Sequence, residues 1–169
     1  MRIVNTEITF TNEEYCRATY YGSVRHKESL DRKNQHGVDP SYSLDIHIKG
    51  VLAEMAFCKG IEQPYPFTVN TFHEPDVYGY HIRGTAYPKN PELTVRNSDK
   101  IPDAIFIGVS MDLKGFDYTK RLFKIYGWTT AEEAKNLSEF YTDHGNKRPK
   151  AWFIPQSHLN PMDTLPELL

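Results

Sequence analysis

Residues 73–87, "HEPDVYGYHIRGTAY", set a carboxylate after a proline, then a glycine, then an alternating run of strand-like residues. Side chains two apart on a strand share a face. His81, Arg83 and Thr85 are therefore expected on one face, and Tyr80, Ile82 and Ala86 on the other, whose apolar character suits burial. Asp76 precedes the strand, and Gly79 permits a tight turn between them. A carboxylate held there can approach the polar face of the strand. Magnesium takes oxygen ligands and keeps several waters, so one or two carboxylates and a substrate phosphate suffice to hold it. Asp76 is the candidate ligand within the stretch, and Glu54 the best placed outside it. The plainer readings are a Pro-Asp turn and the wet face of a strand, both common.

Working outward, the chain reads as one domain over residues 1–169. With 39% hydrophobic and 25% charged residues, it falls within the range of globular proteins. A net charge of −2 excludes a histone-like nucleic-acid coat but leaves room for a local basic groove. Cys16 and Cys58 are isolated, so neither a zinc ribbon nor a disulfide framework is indicated, and a reducing cytoplasm is expected. The start, "MRIVNTEITFTNEEY", lacks a secretory pattern, and no segment approaches the roughly 20 apolar residues that span a bilayer. No membrane partner is expected.

Thr11 and Glu14 in "TNEE" make a capping box, which opens a helix over 11–30. Residues 31–43, "DRKNQHGVDPSYS", read as a loop. A second helix, "LDIHIKGVLAEMAFCKG", is expected between a Ser43 cap and Gly60. Its apolar stripe is Ile48, Val51, Leu52, Met55 and Ala56, with Glu54 on the margin beside His47 and Cys58. The runs "FTVNTF", "YHIRGTAY", "ELTVR", "DAIFIGVS" and "RLFKIYGW" then predict the strands of one sheet. Thr129 with Glu132 is the expected cap of a further helix, and "AWFIP" the last strand. This order implies an α/β domain with a mixed sheet and a core over 43–156.

Other chemistry has little sign. The histidines lack HExxH spacing, and there is no GxSxG elbow or Walker A loop. "RHKESLDRK" and "NKRPK" could contact phosphates, although short basic clusters are more often solvated turns and helix faces. The many tyrosines could stack on bases, although core packing is the commoner use.

Taken together, "HIKGVLAEMAFCKG", "VNTFHEPDVYGYHIRGT", "ELTVRNSD", "IFIGVS", "YGWTTAEEAKN" and "RPKAWFIPQSHLNP" resemble, in order, the blocks of a family of small, uncharacterised bacteriophage proteins. The match runs from the first helix almost to the end of the chain. That family is in turn similar to PD-(D/E)XK nucleases. The resemblance implies a restriction-endonuclease-like fold, a mixed sheet flanked by helices. In that fold a helix acid, a strand acid and an (E/D/Q)-x-K pair surround magnesium. By position, Glu54 would be the helix acid, Asp76 the PD aspartate, His81 the second strand ligand and Arg83 the residue in place of lysine. Arginine there suits the phage family, whereas His81 stands where many members have Gln or Glu.

Arginine can stabilise developing charge but cannot serve as a base, and a histidine nitrogen suits manganese better than magnesium. What the resemblance implies is phosphodiester hydrolysis dependent on Mg2+ or Mn2+. Glu54, Asp76, His81 and Arg83 would be catalytic, the first three holding the metal. Nucleic acid, DNA in the first instance, would lie along His47, Arg96 and Arg25, in the cytoplasm of an infected bacterium. The alternative is a catalytically inactive nuclease-fold protein that binds or regulates a host protein.

Overall fold

The computed structural model describes residues 3–32, 40–67, 74–113 and 121–168. Helix α1 (Asn12–Arg32) opens on the expected box. The Glu14 amide donates to Thr11 Oγ1 at 3.2 Å, and the Thr11 amide donates to Glu14 Oε2 at 2.7 Å. Helix α2 (Pro40–Gly60) ends at Gly60 as expected but starts before Ser43. Proline suits a helix start because its missing N–H would have no partner there. Residues 33–39 of the expected loop, and 68–72 of the expected strand "FTVNTF", lie outside the described residues.

The two helices run antiparallel, and Gly22 brings them close: a Cβ there would stand 2.6 Å from the Ile48 Cα. The apolar stripe read from the sequence is too narrow for α2. Every residue from Val51 to Cys58 is buried, Glu54 included. The reason is that α1 covers one side of α2 while strands cover the other.

The strands are β1 (Glu7–Thr9), β2 (His81–Thr85), β3 (Glu92–Val95), β4 (Ile105–Asp112), β5 (Leu122–Thr130), β6 (Tyr141–Thr142) and β7 (Ala151–Pro155). They form two sheets rather than the expected one. The first, in the order β1-β5-β4-β2, is mixed: β2 runs parallel to β4 and the other pairs are antiparallel. The second is antiparallel, in the order β3-β7-β6.

Strand β4 explains the division. Ile107, Val109 and Met111 join the core beneath the helices, whereas Phe106 joins a second core with Leu93, Val95, Tyr126 and Ile154. A strand apolar on both faces needs a layer on each. Helix α3 (Ala131–Asn136) also packs in the second core, through Ala131 and Ala134. Its capping box is Thr130 with Glu133, one residue beyond the expected pair. Thr129 is still in the strand, buried opposite Phe106. The chain is thus an α/β fold with a mixed sheet between a helical layer and a smaller sheet.

Candidate functional site

Asp76 begins a tight turn. The Tyr80 amide donates to Val77 O at 2.9 Å, and the Asp76 amide to Tyr80 O at 2.9 Å. Tyr78 and Gly79 both take left-handed conformations, with φ of 50° and 86°. Glycine adopts that geometry at no steric cost, which accounts for residue 79. The turn swings the Asp76 carboxylate over the start of β2, where its Oδ2 accepts the Ile82 amide at 2.7 Å. The side chain is thereby fixed at the strand entrance.

Strand β2 then sends its side chains two ways. Ile82 is buried in the helix-side core. A Cβ on Gly84 would lie 3.0 Å from the Ala53 Cβ, so glycine lets α2 press against this face. Ala86, expected beside Ile82 in the interior, is exposed, because β2 ends at Thr85. His81 and Arg83 occupy the opposite face. The His81 ring stacks on Phe106 with centroids 4.8 Å apart, and the Arg83 guanidinium lies 4.9 Å from the same ring. Arg83 reaches Asp99 at 3.3 Å and Asp76 at 3.9 Å. Its Nε is buried and meets no acceptor among the described residues. Burial lowers the His81 pKa below the ordinary imidazole value, with Asp76 pulling it up and Arg83 pushing it down. The ring therefore favours its neutral form.

Glu54 lies on the helix side. Arg25 donates to both its oxygens, at 2.6 and 2.7 Å, and Tyr65 adds a hydrogen bond at 2.7 Å. Arg25 also donates to the Tyr65 oxygen at 2.9 Å, which closes a triangle. Burial pushes the Glu54 carboxyl above its ordinary value, against the pull of Arg25. Asp76 sits between the two groups electrostatically. Its charge acts on Glu54 and Arg25 on one side and on His81 on the other. The charges acting on His81 are those of Asp76, Arg83 and Asp99, and Glu54 is not among them.

Of the residues singled out from the sequence, Asp76, His81 and Arg83 thus come together, while Glu54 and Arg25 pair behind the strand. Arg96 is exposed, and its amide donates to Asp99 at 2.7 Å. His47 lies on α2 with its ring 5.8 Å from that of His26 on α1. Asp99 and Phe106 are not among the candidates read from the sequence, and Tyr65 is there only as one of the tyrosines that could stack on bases, not as a partner of Glu54. Asp99 has a signal, an acid just after the strand "ELTVR"; Phe106 has none.

A divalent ion is a poor fit to this donor set. Both Glu54 oxygens are engaged by a guanidinium, and His81 points from the opposite face of β2. Among the described residues no group of three or more His, Cys, Asp or Glu side chains is placed to hold a metal. A cleft of about 590 Å³ lies elsewhere, between β1 and the ends of α1 and α2, with Phe10, Glu14, Lys59 and Tyr65 in its wall. Among the described residues no helix is long and apolar enough to cross a membrane. Comparison with protein-family models, with curated proteins and with solved structures finds no match to this chain.

Proposed function

We propose that this chain is a phage-encoded, nuclease-like protein on a restriction-endonuclease-like core. Its β2 face binds the phosphodiester backbone of nucleic acid, DNA in the first instance, without cutting it. One observation supports the reading, the contrast between its two partly buried arginines. Arg25 is locked to one carboxylate by two short bonds. Arg83 instead stands on the outermost described strand of its sheet, with its acids at 3.3 and 3.9 Å. A guanidinium so loosely held can exchange a carboxylate for a phosphate, which matches its planar donors equally well.

Cleavage with Mg2+ or Mn2+ is the second reading. Asp76 alone favours it, because a backbone N–H orients its carboxylate at a strand entrance and such ions take oxygen ligands. The two readings part in one assay. Labelled duplex DNA, single-stranded DNA and RNA are incubated with the protein in EDTA and then in magnesium or manganese. Binding in EDTA, weakened about tenfold or more by Arg83→Ala as expected for a charged hydrogen bond to phosphate, supports the first. Failure to bind any of them would overturn it. Cleavage in manganese that disappears in Asp76→Ala would establish the second instead.

A further inference from the structure

The cleft between β1 and the helix ends has no part in the β2 cluster, and it borders the opposite edge of the first sheet. We infer that this edge and its cleft dock a short extended peptide of another protein, one that sets an apolar residue between basic ones. The inference is independent of the reading of the β2 face.

The backbone of β1 is the first support. Among the described residues β1 pairs with β5 alone, so alternate residues turn their N–H and C=O groups outward. Thr6 O accepts the Ile125 amide at 2.8 Å, which sets Thr6 and Ile8 toward β5 and Glu7 and Thr9 toward the open edge. The outer groups of that edge are closed within the chain. The Glu7 amide donates to Asn5 Oδ1 at 2.9 Å, and Lys59 Nζ donates to Thr9 O at 2.9 Å. The inner groups, the Glu7 carbonyl and the Thr9 amide, have no partner among the described residues. An acceptor and a donor on either side of Ile8 are what one added stretch of strand satisfies. In a parallel strand the residue opposite Ile8 supplies both bonds, and in an antiparallel strand its two neighbours do.

The cleft is the second support. Opposite residues of neighbouring strands share a face, so in either direction the side chain opposite Ile8 enters it. Its volume of about 590 Å³ is that of a binding site, and Ile8, Phe10, Met55 and Cys58 give it a buried, apolar floor. The walls are tied together. The Val4 and Asn5 amides both donate to Gly60 O, at 2.8 and 3.1 Å, and the Gln63 amide donates to Cys58 O at 2.9 Å. The strand entrance and the end of α2 are thus joined before any peptide arrives.

Charge selects the occupant. The cations in the lining are already paired, Lys59 with Glu14 and Arg17 with Glu13, each at 2.7 Å. Glu7 and Glu62 are exposed, and their carboxylates have no partner among the described residues. The residues flanking the one opposite Ile8 stand across from Glu7 and Thr9, so a basic residue there meets the Glu7 carboxylate. A second copy of this chain fits less well. Its own Ile8 is buried in its core and cannot fill the cleft, and it offers Thr9 rather than a cation across from Glu7.

The test is fluorescence polarisation of a labelled, end-capped hexapeptide, one leucine between two lysines with serines and threonines outside them, titrated with the full chain. N-methylation of the leucine and of the residue after it removes the N–H that reaches Glu7 O in either strand direction, and should weaken binding about fivefold or more. Moving both methyl groups to the amino end should change little. Glu7→Gln with Glu62→Gln should weaken binding about threefold, with unchanged thermal melts because both side chains are exposed. Hydrogen exchange at the Thr9 amide should slow in the complex. Equal binding by the methylated peptide or by one with glutamates for lysines, or unchanged Thr9 exchange, would each overturn the inference. A dimer in which Thr9 is already protected would give the edge to a second copy and overturn it as well. Arg83→Ala should leave peptide binding intact, and a loss there would place the peptide at β2 instead. If the lysine peptide does not bind, the inference falls and the β2 reading is untouched.

Discussion

Helices α1 and α2 are tied together by two ion pairs of opposite sense. Near one end Glu14 of α1 meets Lys59 of α2 at 2.7 Å; farther along, Arg25 of α1 meets Glu54 of α2 at 2.6 Å. The side chains of the first pair are 41% and 27% exposed for Lys59 and Glu14, those of the second 16% and 6% for Arg25 and Glu54. The two carboxyls respond in opposite directions. Around Glu14 burial pushes upward, but the Lys59 ammonium and the Thr11 amide prevail and hold it below its ordinary value. Around Glu54 burial prevails over Arg25 and holds it above. Pairing alone therefore does not decide what a carboxylate contributes; the water it loses does.

The largest expected effect follows from the buried pair. Glu54→Ala removes the carboxylate that holds the largely buried Arg25 guanidinium by two short bonds and leaves Asp76 acting on it only electrostatically, which costs about 3 kcal/mol. Urea denaturation measures it. Glu54→Gln keeps an acceptor for Arg25 and should cost less, and replacing Arg25 and Glu54 together by Met and Leu should recover most of the loss. A deficit under about 1 kcal/mol for Glu54→Ala would mean that Arg25 reaches solvent on its own, and the contrast with Glu14 would collapse.

A smaller effect is expected at the exposed pair. Glu14→Ala removes a partly screened ion pair and one half of a capping box, together about 1 kcal/mol by the same denaturation. A loss as large as that of Glu54→Ala would show that burial is not what separates the two pairs.

How far these roles could be read from the sequence differs in the same way. The Thr11–Glu14 box is a local pattern, and it was legible because its partners stand three residues apart. Glu54 looked like a helix-margin acid because the partner that decides its role, Arg25, lies 29 residues away. The strand stretch shows both halves of the problem. Alternation correctly set His81 and Arg83 opposite Ile82, since two-residue periodicity is a property of the strand itself. Which face would meet α2 is tertiary, and so the separation of Glu54 from His81 was not visible. The second sheet had a legible sign in "IFIGVSM", apolar on both faces, whereas the one-residue slip of the α3 cap depended on Thr129 pairing with Phe106.

The smallest effect is a slope in pH, and it tests the opposed shifts directly. The folded pKa of Glu14 is depressed. Its stabilisation is therefore present above the unfolded value of about 4.3 and is lost as the pH falls through the lower folded value. The folded pKa of Glu54 is raised. The folded chain binds that proton more readily than the unfolded chain, so its contribution is present below about 4.3 and is lost as the pH rises through the folded value. Denaturation of the original protein, Glu14→Gln and Glu54→Gln between neutral pH and about pH 3, on either side of the carboxylate range, separates the two. The stability gap between the original protein and Glu14→Gln should close on acidification, because protonation removes from the original what the substitution has already removed. The gap to Glu54→Gln should widen, because only the original protein gains from taking up the proton. If both gaps close together, Glu54 behaves as a solvated, paired carboxylate, and Arg25 is then as able as Arg83 to exchange its partner for a phosphate.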